Sequence, residues 1–153
     1  MFELLDPAPD FTLPATGDAT ITLSDIRPSP VVLFFYPRDN TPGCTKEAIG
    51  FTEALAEFDA LGVKIIGISK DDMASHEKFV AKKELGMPLV SDAEGDACER
   101  YGVWKEKKMY GKTFMGIERS TFLIDTEGRV AAMWRKVKVD GHVAEVLEAA
   151  KAL

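Results

Sequence analysis

Short apolar runs alternate along this chain with segments of helical period. Val31 to Tyr36 reads Val-Val-Leu-Phe-Phe-Tyr, β-branched and aromatic with no polar break, which predicts a strand buried on both faces. Val63 to Ile68 predicts a second such strand. Between them a helix is expected from Pro42 to about Ala60, and another opens at Asp72 or Ser75 and runs toward Glu84. Pro88 to Val90 reads as a short strand, and Gly95 to Tyr101 as a short helix that turns Ala97, Cys98 and Tyr101 inward. Thr121 to Ile124 and Val130 to Val139 flank Asp125-Thr126-Glu127-Gly128, a hairpin pattern, and Asp140 stands where it can cap a last helix with Val143, Val146, Leu147 and Ala150 on one face. At the amino end, Phe11 to Leu13 and Thr20 to Leu23 flank Ala15-Thr16-Gly17-Asp18, which predicts a further hairpin. The alternation implies an α/β sheet with helices on both faces.

Composition narrows this picture. A length of 153 residues, 46% apolar and 29% charged, suits a single domain over 1–153, and no repeat, low-complexity tract or linker divides it. The net charge of −6 argues against a nucleic-acid partner, and Lys105, Lys107 and Lys108, interrupted by Glu106, read as a solvated loop face. Glu3 and Asp6 stand where a signal peptide would carry basic residues, and no apolar run approaches the roughly 18 residues of a membrane helix. The expectation is a cytoplasmic chain with no membrane partner. Its two cysteines suit a reducing compartment. They form no zinc pattern, and His76 and His142 have no sequence neighbours at ligand spacing, so no metal, haem or other cofactor is expected.

The candidate chemistry lies just past the first core strand, in Pro37-Arg38-Asp39-Asn40-Thr41-Pro42-Gly43-Cys44. Pro37 ends the strand, Thr41 occupies an N-cap position, Pro42 the first helical position, and Cys44 falls in the first turn. Unpaired amides and the positive end of the helix dipole favour a thiolate there. Glu47, in the same opening stretch, is read as an acid placed for the dipole and outside the site.

Thr41-Pro42-Gly43-Cys44-Thr45, preceded by Phe34-Phe35-Tyr36-Pro37, resembles the active-site signature of the peroxiredoxins, in the bacterioferritin comigratory protein or peroxiredoxin Q branch. Tyr101 to Trp104, Met109 to Lys112, Gly116 to Asp125 and Pro7 to Leu13 extend the similarity over essentially the whole chain. The resemblance implies a thioredoxin-like fold, a central mixed sheet flanked by helices with an amino-terminal β-hairpin extension. It also implies a thiol-dependent peroxidase that reduces hydrogen peroxide and organic hydroperoxides, in cell redox homeostasis and antioxidant defence. Cys44 would be the peroxidatic cysteine. Thr41, Arg119 and the amides near Gly43 would bind the peroxide, and Pro37 would shield the sulfur.

The chain departs from that branch at the second, resolving cysteine. Where many members carry it in the same helix this chain has Ile49, and where others carry it in the following helix it reads Phe79-Val80-Ala81. Cys98 remains as a possible resolving residue, although its apolar neighbours suggest a structural one. The expectation is therefore a one-cysteine mechanism. Sulfenic acid on Cys44 would be reduced by thioredoxin, glutaredoxin or a small thiol, in a monomer or weak dimer. A thioredoxin-type reductase would need a Cys-x-x-Cys pair, and Glu47 stands where the second cysteine would be. The alternative is a peroxide sensor or redox relay that passes oxidation of Cys44 to a partner.

Overall fold

The computed structural model describes residues 3–153. Strands β1 (Thr12–Ala15) and β2 (Ala19–Thr22) form the amino-terminal hairpin, and a 3-10 turn, Leu23–Ile26, leads into β3 (Val31–Phe35). Helices α1 (Pro42–Glu53) and α2 (Leu55–Ala60) follow, then β4 (Lys64–Ser69), α3 (Met73–Lys83), β5 (Leu89–Ser91) and α4 (Ala97–Arg100). The chain continues through β6 (Trp104–Met109), β7 (Lys112–Ile117), β8 (Ser120–Ile124), β9 (Val130–Trp134) and α5 (His142–Lys151). Among the described residues seven strands form one mixed sheet in the order β2-β1-β5-β4-β3-β8-β9, and β6 and β7 pair with each other in a separate two-stranded sheet. This is the α/β thioredoxin-like architecture with the expected hairpin extension.

β3 shows why an uninterrupted apolar strand belongs at the sheet centre. It pairs parallel with β4 and antiparallel with β8, and its side chains alternate between two cores. Val31, Leu33 and Phe35 enter a core with Phe11, Leu13, Leu23, Ala97, Cys98 and Tyr101. Val32 and Phe34, with Tyr36 just beyond, enter the other with Cys44, Ala48, Phe51, Phe58, Phe79 and Val146. Helices cover the two faces unequally. α1, α2, α3 and α5 contribute to the second core, whereas the first is closed by α4 and by the amino-terminal segment around Phe11.

Several boundaries differ from the sequence reading. The helix expected to reach Ala60 is interrupted at Ala54, whose ψ of 1° leaves helical geometry and whose amide bonds to Gly50 and Phe51 carbonyls. The strand expected to reach Val139 stops at Trp134. The cap of α5 is Gly141, at φ 78°, and Asp140 instead pairs with Lys46 of α1. Asp72 does cap α3, accepting from the Ser75 amide at 2.8 Å. The basic stretch 105–108 is no loop: it is most of β6, in a two-residue hairpin whose Tyr110 and Gly111 both have positive φ, as a type I′ turn requires.

Candidate active site

The site is assembled where β3 ends and α1 begins. Pro37, half-buried, follows Tyr36 and carries the chain out of the sheet. Thr41 holds the N-cap position, with extended φ −91° and ψ 156°, and its carbonyl accepts the first helical bond from Thr45 at 2.8 Å. Its side chain does not cap the helix as the sequence suggested. The hydroxyl donates back to the Arg38 carbonyl at 2.9 Å, closing the turn that delivers the chain into α1.

Cys44 is buried in the first turn of α1. Arg119, just after β7, reaches it across the fold: Nη2 lies 3.2 Å from Cys44 Sγ, and Nη1 donates to Glu47 Oε1 at 2.7 Å. Glu47, read as an acid placed for the helix dipole and outside the site, is instead fully buried and ion-paired with the guanidinium. Position on the helix decides this. Glu47 follows Cys44 by about one turn, so the two side chains leave the same face of α1 and meet the same arginine. The spacing was visible in the sequence and the resemblance named Arg119; that Glu47 meets it was not visible. Burial holds Arg119 back from charging, but the neighbouring Glu47 and Cys44 charges outweigh that and raise its pKa above the ordinary value. Gly43 completes the cradle, since a Cβ there would lie 3.2 Å from Arg119 Nη2.

Burial pushes the Glu47 carboxyl up to about 7, against the pull of Arg119. Its second oxygen, Oε2, is buried without a hydrogen-bond partner and sits 4.0 Å from His142 Nε2. His142, at the start of α5, shares a 2.7 Å hydrogen bond with Thr121 Oγ1. Burial, with Arg119 nearby, lowers its pKa to about 4, so the ring is neutral near pH 7.

The loop leading to Thr41 is tied to α3 by a second polar cluster. Asp39 accepts from Tyr36 Oη at 2.6 Å and from Ser75 Oγ at 2.8 Å, and its Oδ2 lies 2.7 Å from His76 Nδ1. Asp71 accepts from the Asp39 amide and from Ser69 Oγ, and His76 Nε2 meets the Val90 carbonyl at 2.9 Å. These bonds lower the Asp39 pKa although burial opposes them. The fold thus adds Asp39, 37 positions away, to Asp71 beside His76, with ligand-type atoms of the three within 4.8 Å of one another, a grouping that sequence spacing did not indicate. Those atoms are occupied in bonding the loop to β4 and α3.

Cys98 lies elsewhere, fully buried in the core on the opposite side of the sheet. Its amide donates to Asp92 Oδ2 at 2.8 Å, and burial together with the Asp92 charge pushes its thiol far up. The structure therefore brings together Cys44, Gly43 and Arg119, adds Glu47, turns the Thr41 hydroxyl to the backbone, and leaves Cys98 in another layer. No helix among the described residues is long and apolar enough to cross a membrane.

Comparison with known proteins shows the family and the fold. The AhpC/TSA family model matches residues 4–133. Peroxiredoxin Bcp of Xanthomonas campestris is 49% identical over 148 residues, covering 95% of this chain and 92% of that protein. Peroxiredoxin Bcp of Bacillus subtilis is 48% identical over 149 residues, covering 97% and 95%. Among solved structures, a PrxQ variant from Xylella fastidiosa superposes with a TM-score of 0.94 at 40% identity, covering 99% of this chain and 97% of that one. A structure of the Xanthomonas campestris bacterioferritin comigratory protein, described for its alkyl peroxide reduction and trapped intermediate and ligand complexes, gives 0.88 at 48% identity, covering 93% and 90%.

Proposed function

The chain belongs to the AhpC/TSA family, among the Bcp/PrxQ peroxiredoxins, and is a thiol peroxidase; we propose that it reduces alkyl hydroperoxides and hydrogen peroxide through Cys44 by a one-cysteine route. The observation that carries this reading is the guanidinium of Arg119 at 3.2 Å from a buried sulfur in the first turn of a helix. Amide dipoles and a fixed cation both favour the thiolate. They also face the region where negative charge grows as the O–O bond breaks.

In the first step the Cys44 thiolate attacks one peroxide oxygen. The S–O bond forms as the O–O bond breaks, the sulfur becomes a sulfenic acid, and the leaving oxygen departs as an alcohol, or as water from hydrogen peroxide, after taking a proton. Arg119 acts as an electrostatic donor, positioned by Glu47. The first amides of α1, at Gly43 and Cys44, supply further donors. Thr41 serves as a donor to the peroxide once its hydroxyl leaves the Arg38 carbonyl, and Pro37 limits solvent at the sulfur. An external thiol from thioredoxin, glutaredoxin or a small thiol then displaces hydroxide from the sulfenic acid, water is released, and a second thiol frees Cys44 from the mixed disulfide.

The one-cysteine route is supported by the placement of Cys98 in the opposite core, by the carboxylate beside it, and by Ile49 and Val80 in the two helices where a resolving partner would stand. The test is the intact mass of the reduced protein seconds after one equivalent of hydrogen peroxide, with a sulfenic-acid trap and peptide mapping. Trapped sulfenic acid on Cys44 is the expected product. A Cys44 to Cys98 disulfide would overturn the one-cysteine route, and an unreacted Cys44 would overturn its peroxidatic role.

A further inference from the structure

Among the described residues the β6–β7 ribbon is the one sheet besides the main one, and its two faces differ in chemistry. Residues directly opposite each other in an antiparallel pair share a face. The register pairs Trp104 with Ile117, Glu106 with Met115 and Lys108 with Thr113, so these make one face. Lys105 with Gly116, Lys107 with Phe114, and Met109 with Lys112 make the other. The second face therefore carries three lysines and two large apolar side chains and no carboxylate. Its outer half is open to solvent, with Met109 57% exposed, Phe114 43% and Lys112 exposed, and Tyr110 at the tip 96% exposed, while Lys105 and Lys107 are half-buried towards the foot.

This face belongs to the neighbourhood of the thiol. The ribbon's foot is fixed by buried Val103 and Ile117, and the Glu118 amide donates to the Val103 carbonyl at 2.7 Å. Two residues beyond β7 stands Arg119, against Cys44. Lys107 feels both: burial and the Arg119 charge lower its pKa, while the Cys44 and Glu118 charges oppose them.

We propose that the Lys105, Lys107, Met109, Lys112 and Phe114 face of the ribbon is the docking surface for the reducing partner, a thiol protein whose reactive cysteine is rimmed by acidic and apolar side chains. This rests on the reading that an external thiol recycles Cys44. Charge complementarity selects the partner: the charged side chains of this face are all lysines in a chain of net charge −6, so an acidic rim is attracted to the thiol's side of the molecule. Exposed methionine, phenylalanine and tyrosine beside those lysines supply the apolar anchors of a protein contact. Side chains standing this far into solvent do not enclose a small molecule.

The test compares wild type with Lys105→Glu/Lys112→Glu and, separately, with Phe114→Ser, in three rates. These are oxidation of Cys44 by hydrogen peroxide, turnover with dithiothreitol, and turnover with bacterial thioredoxin, its reductase and NADPH or with glutaredoxin and glutathione. The expected result is a fall of about tenfold or more in protein-supported turnover for the charge-reversed variant, with the wild-type rate falling steeply with added salt and the variant's rate much less so. Phe114→Ser should slow the same step without changing its salt dependence. Oxidation by peroxide and turnover with dithiothreitol should remain at wild-type values. Equal protein-supported rates in wild type and variants would overturn the proposal, as would a parallel loss of the oxidation step. Wild-type turnover with dithiothreitol but with neither protein donor would overturn the docking surface and leave external-thiol recycling standing. No turnover with any thiol would remove both. Binding of wild type to anionic vesicles, lost on charge reversal, with protein-supported turnover unaffected, would reassign the face to a lipid surface and overturn the proposal.

Discussion

Cys44 and Cys98 share more than they differ in, until the charges around them are compared. Each is buried, and each lies in the first turn of a helix, where amide dipoles favour an anion. Cys44 faces the Arg119 guanidinium at 3.2 Å, whereas Cys98 is packed among Tyr101, Phe35 and Phe122 with the Asp92 carboxylate capping its helix. The helix start is therefore not what separates the two thiols. A guanidinium stands beside one sulfur and a buried carboxylate, itself paired with Lys70 at 3.5 Å, beside the other, and charges of opposite sign act oppositely on an anion.

Removing either sulfur tests the comparison most severely. Cys44→Ser is expected to abolish peroxide consumption, while Cys98→Ser keeps wild-type oxidation rates in stopped-flow assays. Removing the cation comes next. Arg119→Ala is expected to slow oxidation roughly 10² to 10³-fold, on the order of 2 to 4 kcal/mol of transition-state stabilisation, if the guanidinium is one preorganised donor. A loss below about threefold would mean that the 3.2 Å contact does not serve the reaction.

Glu47 sharpens the comparison because it is bonded to the cation that meets the sulfur. Glu47→Gln keeps one acceptor for Arg119 but removes the charge, and oxidation should slow by on the order of tenfold as the guanidinium loses its fixed position. The same variant has a signature in stability. Burial lifts the Glu47 carboxyl from its ordinary 4.5 to about 7, so between those values the folded chain holds a proton that the unfolded chain has released. The stability linked to it is full below pH 4.5 and is lost as pH rises through about 7, by on the order of 3 kcal/mol. His142, lowered to about 4, acts in the opposite sense, its contribution being lost as pH falls from 6.5 through 4. Denaturant unfolding of wild type and Glu47→Gln at each pH isolates the Glu47 contribution. The variant should gain on wild type as pH rises from 4.5 to 7, and parallel profiles would contradict the raised carboxyl.

The smallest effect is expected at the other cysteine. Asp92→Asn keeps an oxygen to accept from Ala97 or Cys98 while removing the carboxylate, so alkylation of Cys98 by a small maleimide should quicken only a few-fold, because burial still restrains it. A rise to the reactivity of Cys44 would show that charge alone had kept Cys98 inert.

What the sequence determined by itself was local. An unbroken run from Val31 to Tyr36 requires burial on both faces, Pro42 and Gly43 after Thr41 require a helix start, and Cys44 is thereby placed in a first turn. The resemblance carried by Thr41 to Thr45 and by Gly116 to Asp125 reached further and named Arg119. Where local signals failed, tertiary contacts had decided the outcome. Thr41 turned its hydroxyl to Arg38, Asp140 gave the cap of α5 to Gly141, and the lysines of 105–108 became a strand because residues 112–117 pair with them. The role of Glu47 belongs to the same class. Its partner lies 72 positions away, and the arginine's contact with Cys44 spans 75. Periodicity and capping act over a few residues, so they can say that a thiol begins a helix. Which charge stands against that thiol is set when β3 and β8 pair at the sheet centre and bring Arg119 to α1, a contact that Cys98, with Asp92 beside it, does not share.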